Sequence, residues 1–319
     1  MTLKHLWFEV TDECNSRCSY CDIWKKTEHY SQTLTPQQLC YILKNATFKK
    51  VNYIINSGGE PTLEPHLLDF LRAEHKALPS ATLQLSTNAI LPQTVLNTAK
   101  IMFEEGCPLQ IGISMDGVGE EHDRIRGIVG NFDSVLSLIP HLKKYATITL
   151  GATLTPKTLE ANMRAFDWAK RNNIPFLFHH LNQSSFYGNL NSNFYEPNVS
   201  VDKIILAVHR LPPSLYCDMW LSYLNGHFQH FKCKALKDFC VLKRNGDIVP
   251  CLTMWNSVIG NIFDNLPTEI FKSKSAKKVH KNIAECNNCL NNWGVNWSLT
   301  TFKKYFWWAK QKLRENLYE

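Results

Sequence analysis

Residues 10–26 read V-T-D-E-C-N-S-R-C-S-Y-C-D-I-W-K-K and space Cys14, Cys18 and Cys21 as C-x3-C-x2-C. An apolar run over 6–10 precedes them and predicts a strand. A loop at a strand end can bring three thiolates around one corner of a metal cluster. Three thiolates complete neither a tetrahedral zinc site nor the four irons of a cubane, which leaves one iron open to a ligand that is not protein. The alternatives are a zinc knuckle short of one ligand, or buried free thiols.

Bulk properties narrow the setting. The chain has 319 residues, 44% apolar and 20% charged, enough for one main core and a small second unit of ordinary globular composition. No apolar run approaches the length of a membrane span. A strand within the first ten positions leaves no place for a signal peptide, so a cytoplasmic location is expected. Eleven cysteines in that setting argue for metal binding rather than disulfides. The net charge of +7 fits a mildly basic solvated surface, with an anionic or nucleotide-like ligand as the second reading.

Strands are predicted over 6–10, 50–56, 82–86, 109–114, 147–154 and 175–181, each followed by a helical pattern. Thr35, Pro36 and Gln38 form a helix start with a capping box. Cys40, in that helix, reads as a small core residue. Right-handed crossovers make all six strands parallel, an α/β arrangement with ligands at the carboxyl ends of the strands. Gly58-Gly59 at the end of the second strand would let backbone approach a ligand. Strand six delivers His179 and His180; neighbours on a strand face opposite ways, so at most one faces the interior. That one would bind substrate or move a proton; a packed or solvated histidine is the alternative.

Near the carboxyl end, Asn245-Gly246 between two short apolar runs signals a hairpin. Cys233, Cys240 and Cys251 surround it, and Cys286 and Cys289 follow as C-x2-C. By spacing alone this could be a structural zinc ribbon.

Taken together, the triad with Tyr20 before its last cysteine, Gly58-Gly59-Glu60-Pro61, S-x-D-G at 114–117 and H-D-x-x-R-G at 122–127 resemble the radical S-adenosylmethionine (SAM) enzymes. The resemblance covers residues 5 to about 290. It implies an open (β/α)6 partial barrel. It also implies a [4Fe-4S] cluster on Cys14, Cys18 and Cys21 whose open iron is chelated by SAM. Tyr20 would pack near the adenine, and the Gly58–Pro61 segment would contact the methionyl amine. Asn88 and Ser114 would lie near the ribose, and Arg126 would hold the SAM carboxylate through two hydrogen bonds. Reductive cleavage of SAM would give a 5′-deoxyadenosyl radical that abstracts hydrogen from a small-molecule substrate, in an oxidation, dehydrogenation or rearrangement.

The carboxyl-terminal run resembles the extension of SPASM and twitch enzymes. With no cysteine after Cys289, it looks like the shorter twitch type, with one auxiliary [4Fe-4S] cluster. The twitch pattern wants a cysteine well before the hairpin glycine. That spacing selects Cys233 with Cys251, Cys286 and Cys289 as ligands and leaves Cys240 a packed thiol. The expected divisions are a barrel over 1–205, a helical linker over 206–232, an auxiliary-cluster domain over 233–295 and a docking helix over 296–319. An electron donor such as flavodoxin or ferredoxin is implied. A peptide-modifying enzyme is the alternative, and a non-catalytic metal-cluster protein that binds nucleic acid the remote one; nucleic acid is not the expected partner.

Overall fold

Strands and helices alternate along the chain: β1 (His5–Thr11), α1 (Pro36–Leu43), β2 (Tyr53–Gly58), α2 (Leu67–Ala77), β3 (Thr82–Thr87), α3 (Pro92–Glu104) and β4 (Gln110–Ser114). They continue as α4 (Glu120–Arg126), α5 (Asn131–Leu142), β5 (Thr147–Leu154), α6 (Leu159–Arg171) and β6 (Phe176–His180). The computed structural model describes residues 3–26, 29–192, 201–211, 213–227, 232–286 and 297–298. Cys289 and nearly all of the expected docking helix lie outside these residues, as do 212 and 228–231 of the expected linker.

Sequence chemistry accounts for the elements. At α1, Thr35 Oγ1 accepts from Gln38 N at 3.2 Å while Gln38 Oε1 accepts from Thr35 N at 2.9 Å, the reciprocal cap expected there. Leu39, Ile42 and Leu43 are buried. Cys40 is only half-buried, a correction to its reading as core. In β3, β4 and β5 every second residue is buried. Leu83, Leu85, Ile111, Ile113, Ile148 and Leu150 lie in the main apolar core, and the intervening Gln84, Ser86, Gln110, Ser114 and Thr149 line an interior cavity.

All six strands are parallel neighbours, in the order β6-β5-β4-β3-β2-β1, and the sheet stays open. The segment after residue 233 begins by extending this same sheet. Strand β7 (Phe239–Leu242) pairs in parallel with β1, with Cys240 beside Leu6. The chain then turns through Asn245-Gly246, where Gly246 takes a positive φ of 85°. Strands β8 (Asp247–Val249) and β9 (Gly260–Asn261) complete an antiparallel edge. The predicted hairpin is therefore present, as a continuation of the barrel sheet.

Three local features differ from expectation. Residues 120–126 form the helix α4, which the motif reading did not contain. The segment from 202 onward holds two helices, α7 (Val201–His209) and α8 (Leu215–Leu224). Ser214 caps the second by accepting from Cys217 N at 3.1 Å. After α9 (Pro267–Ile270), helix α10 (Lys274–Glu285) ends at Cys286. Among the described residues, no helix is long and apolar enough to cross a membrane.

Candidate active site at the carboxyl rim of the sheet

The cysteine loop leaves β1 and is held by backbone from several directions. Gly59 N donates to Thr11 O at 2.8 Å and Glu60 N to Glu13 O at 2.7 Å. Arg17 N and Ser19 N donate to the last carbonyls of α4, on Arg126 and Ile125, at 2.8 and 2.9 Å. A helix leaves its final carbonyls without internal partners, and here the loop supplies them. Asp22 N reaches Tyr187 O at 2.8 Å.

Several of the expected site residues belong to this network. A Cβ at Gly59 would fall 1.9 Å from Glu13 O, so the glycine is required by the cysteine loop's own backbone rather than by a ligand. Pro61 is buried and starts a short 3-10 turn. The Glu60 side chain, 2% exposed, accepts from Thr62, from Thr87 Oγ1 and from Asn88 N. Burial raises its pKa. Asn88 donates through Nδ2 to Asn15 Oδ1 at 2.7 Å and Ser16 Oγ at 2.9 Å. Both side chains are consumed in tying strand ends to the loop.

The three thiols lie one residue from the cavity wall. Cys18 packs with Tyr20, Ile125 and Leu181, while Cys14 and Cys21 pack against the group of Trp7, Ile55 and Phe186. Tyr20, Leu181, Trp7, Ile55 and Phe186 all line the cavity. Burial pushes Cys14 up to about 11 and Cys21 up to about 12, and raises Cys18 against the opposing charge of Arg126. None of the three is in a disulfide. No three described His, Cys, Asp or Glu side chains close tightly enough around one metal ion, but a four-iron cube holds its ligands further apart than a single ion does. Three uncommitted thiols on one pinned loop, close enough for their charges to interact, fit such a cluster; coordination would deprotonate them outright.

Beside Cys18 sits a buried polar triad. Tyr20 Oη donates to Asp116 Oδ2 at 2.7 Å; Arg126 Nη1 donates to Tyr20 Oη at 2.9 Å and to Asp116 Oδ2 at 3.2 Å. Asp116 Oδ1 accepts from Thr153 N at 2.9 Å. Burial works against the Arg126 charge, yet Cys18, Tyr20 and Asp116 more than offset it and hold its pKa well above the usual value. Arg126 Nε is buried without a hydrogen-bond partner among the described residues. Sequence reading assigned Arg126 and Tyr20 to SAM but gave Asp116 no role, although it stands in the quoted S-x-D-G; nothing local shows that it meets residues 10 and 96 positions away.

The cavity has a volume of about 510 Å³ and is lined by Gly58, Ser114, Arg126 and His179 among others. The His179 ring lies across Gly151, whose missing Cβ would sit 3.3 Å from His179 Nε2. His179 is accessible from the cavity it lines, and the surrounding protein lowers its pKa despite the Asp116 charge. His180 packs edge-on against Trp220 and Tyr223, at 5.6 and 6.0 Å, and burial lowers its pKa to about 4. Both histidines border the cavity, the His179 ring lying across Gly151 and the His180 ring packing on Trp220 and Tyr223.

The second cysteine set gathers near the amino ends of the strands, where Cys233 precedes β7 and Cys251 follows β8. Cys233 Sγ accepts from Ala235 N at 3.5 Å and Cys251 Sγ from Met254 N at 3.4 Å. Cys286 is close enough to Cys233 for their charges to interact. Cys240 is fully buried within β7, and burial alone raises its pKa. Cys289, the fourth expected ligand, lies outside the described residues.

Comparison with known proteins agrees with this geometry. The radical SAM superfamily profile matches residues 8–169, and that of SPASM, an iron-sulfur cluster-binding domain, matches residues 233–290. The pre-heme d1 synthase of Dinoroseobacter shibae is 30% identical over 141 residues, 44% of this chain and 33% of that protein. The GTP 3′,8-cyclase of a Sulfurovum strain is 34% identical over 126 residues, 38% of this chain and 36% of that protein. The chain thus spans about a third of the length of these curated relatives. The solved structure of native anSMEcpe with bound AdoMet and the Cp18Cys peptide aligns over 91% of this chain and 86% of its own, with a TM-score of 0.64 and 18% identity, a likeness of fold.

Proposed function

This chain belongs to the radical SAM superfamily, and on that premise we propose that Cys14, Cys18 and Cys21 hold its SAM-binding [4Fe-4S] cluster above a substrate site inside the barrel. The radical SAM domain binds such a cluster and SAM, and the SPASM domain binds auxiliary iron-sulfur clusters. When bound, cluster and SAM supply reductive cleavage to a 5′-deoxyadenosyl radical and hydrogen abstraction from an unactivated carbon. The observation that carries the reading is the position of the three thiols against the cavity wall, with the buried Arg126 cation at the same rim.

The chain's own residues then orient and shield. Asp116 and Tyr20 fix Arg126 by its Nη1 at the cavity wall, where its guanidinium is offered to the SAM carboxylate. The Ser114 hydroxyl, on the cavity wall, is offered to the ribose. His179, whose pKa the surrounding protein lowers, accepts a proton or hydrogen bond from substrate. The enclosing strands keep the reacting groups from bulk water. Cys233, Cys251, Cys286 and Cys289 hold one auxiliary [4Fe-4S] cluster.

The substrate in this reading is a small molecule, and a flavodoxin- or ferredoxin-type donor supplies the electron. A peptide substrate is the second reading, favoured by the match to the SPASM profile over 233–290. The test is the triple variant Cys14→Ala, Cys18→Ala, Cys21→Ala, reconstituted anaerobically and reduced with dithionite. Wild-type protein should form 5′-deoxyadenosine and the variant none; formation by the variant would end the proposal.

A further inference from the structure

Beyond Arg126, no described residue that lines the cavity offers a ligand a permanent charge. Among the described residues no Asp, Glu or Lys lines it. Arg126 is already engaged by Asp116 and Tyr20 through Nη1. The surrounding protein lowers the pKa of both lining histidines, that of His180 to about 4, which disfavours their charged forms. What the walls do offer is neutral hydrogen bonding. Tyr53 Oη lies 2.6 Å from Gln84 Oε1 and 2.9 Å from Gln110 Oε1. One hydroxyl proton cannot serve both oxygens, so one amide turns to donate its NH2 to Tyr53 Oη and leaves its carbonyl oxygen to accept from a ligand. Gln84 Nε2 also donates to Ser86 Oγ at 3.3 Å.

Apolar surface frames these groups. Trp297 stacks on His5 at 4.6 Å with an interplanar angle of 9° and meets Tyr53 edge-on at 6.3 Å. His5 and Tyr53 begin β1 and β2, so Trp297 walls the amino end of the barrel. Gly112 and Gly151, on adjacent strands, leave room for the side chains of Gln84 and His179 to lie across them.

We propose that the part of the substrate entering the barrel is uncharged and carries hydroxyl or carboxamide groups, while any phosphate, carboxylate or ammonium stays outside. This rests on the reading of the cavity as the substrate site. The reason is desolvation. An ion moved into an enclosed cavity without a counter-charge loses its hydration and gains nothing comparable, whereas a neutral polar group exchanges water for the amides and hydroxyls already there. The exclusion applies to both signs, because among the described residues the walls supply neither a second cation nor any carboxylate.

The experiment uses the full chain with its clusters reconstituted and SAM bound. Anaerobic calorimetry compares probes small enough to enter whole, matched in skeleton and differing in charge: benzamide with benzoate, and N-acetylasparagine amide with N-acetylaspartate amide. In at least one pair the neutral member should bind about tenfold or more tightly than its charged counterpart. Gln110→Lys should reverse that preference. Gln84→Glu, close to isosteric, should weaken the neutral member by a similar factor even if the lysine variant does not fold. Charged members binding as tightly as neutral ones, or no neutral member binding at all, overturns the proposal. Formation of 5′-deoxyadenosine by the same preparation without substrate checks the underlying reading separately. If it forms while charged probes win, only the neutral-group proposal fails.

Discussion

The hydroxyl of Tyr20 donates to Oδ2 of Asp116 at 2.7 Å across 96 positions of sequence. The same oxygen receives Arg126, so a wholly buried carboxylate joins the cysteine loop to the end of α4. Asp116→Ala should destabilise the protein by about 3–5 kcal/mol, because it leaves a buried guanidinium without its counter-ion. Asp116→Asn, which can still accept from Thr153 N, should cost less. Urea unfolding of the metal-free chain measures both, and equal stability of alanine variant and wild type would show that the ion pair contributes nothing.

Gly59→Ala places a methyl group where Glu13 O lies 1.9 Å away. The cysteine loop must move, and the bonds from Gly59 N and Glu60 N are strained. A loss of about 2–3 kcal/mol is expected, together with lower iron retention at the triad. Thermal unfolding and iron assay are the readouts. An unchanged melting temperature and full iron would show that the loop tolerates the displacement.

Glu74 gives a pH test away from the site. It is fully buried, receives Asn56 Nδ2 at 2.8 Å, and has a pKa raised from 4.5 to about 8 by burial. Below the unfolded value near 4.5 both states hold the proton and there is no penalty. Between 4.5 and about 8 the unfolded chain ionises first, so stability falls as pH rises and levels off above the folded value. Glu74→Gln removes that dependence and can offer an N–H to Asn56 Oδ1, which has no partner among the described residues. Relative to wild type, it should gain on the order of 4 kcal/mol between pH 4 and pH 9. Parallel stability curves for the two proteins would refute the assignment.

Cys233→Ala should remove about one [4Fe-4S] equivalent, roughly four irons per chain, whereas Cys240→Ala should keep its iron and lose stability alone. Cys233 is half-buried with a backbone amide on its sulfur, and Cys240 is sealed within β7. Iron analysis with Mössbauer spectra distinguishes them, and iron loss in the second variant but not the first would exchange the two roles.

The sequence by itself determined what short-range chemistry controls. The alternation of β3 to β5, the Thr35 cap and the Asn245-Gly246 turn are set within a few residues, and each was legible from residue spacing and type. The triad is equally local, since three cysteines within eight positions share one loop whatever surrounds them. Tertiary structure alone decided where polar side chains point. Glu60, Asn88 and Arg126 all stand in motifs that suggest a ligand, yet the first two are spent on Thr62, Thr87, Asn15 and Ser16, while Arg126 keeps one nitrogen unpartnered. It also set β7 beside β1, so the auxiliary hairpin extends the barrel sheet, and it laid the His179 ring across Gly151 while packing His180 on Trp220. A buried donor or acceptor binds whichever partner the packed chain brings to it, and strands far apart in sequence pair only once the core has fixed their edges.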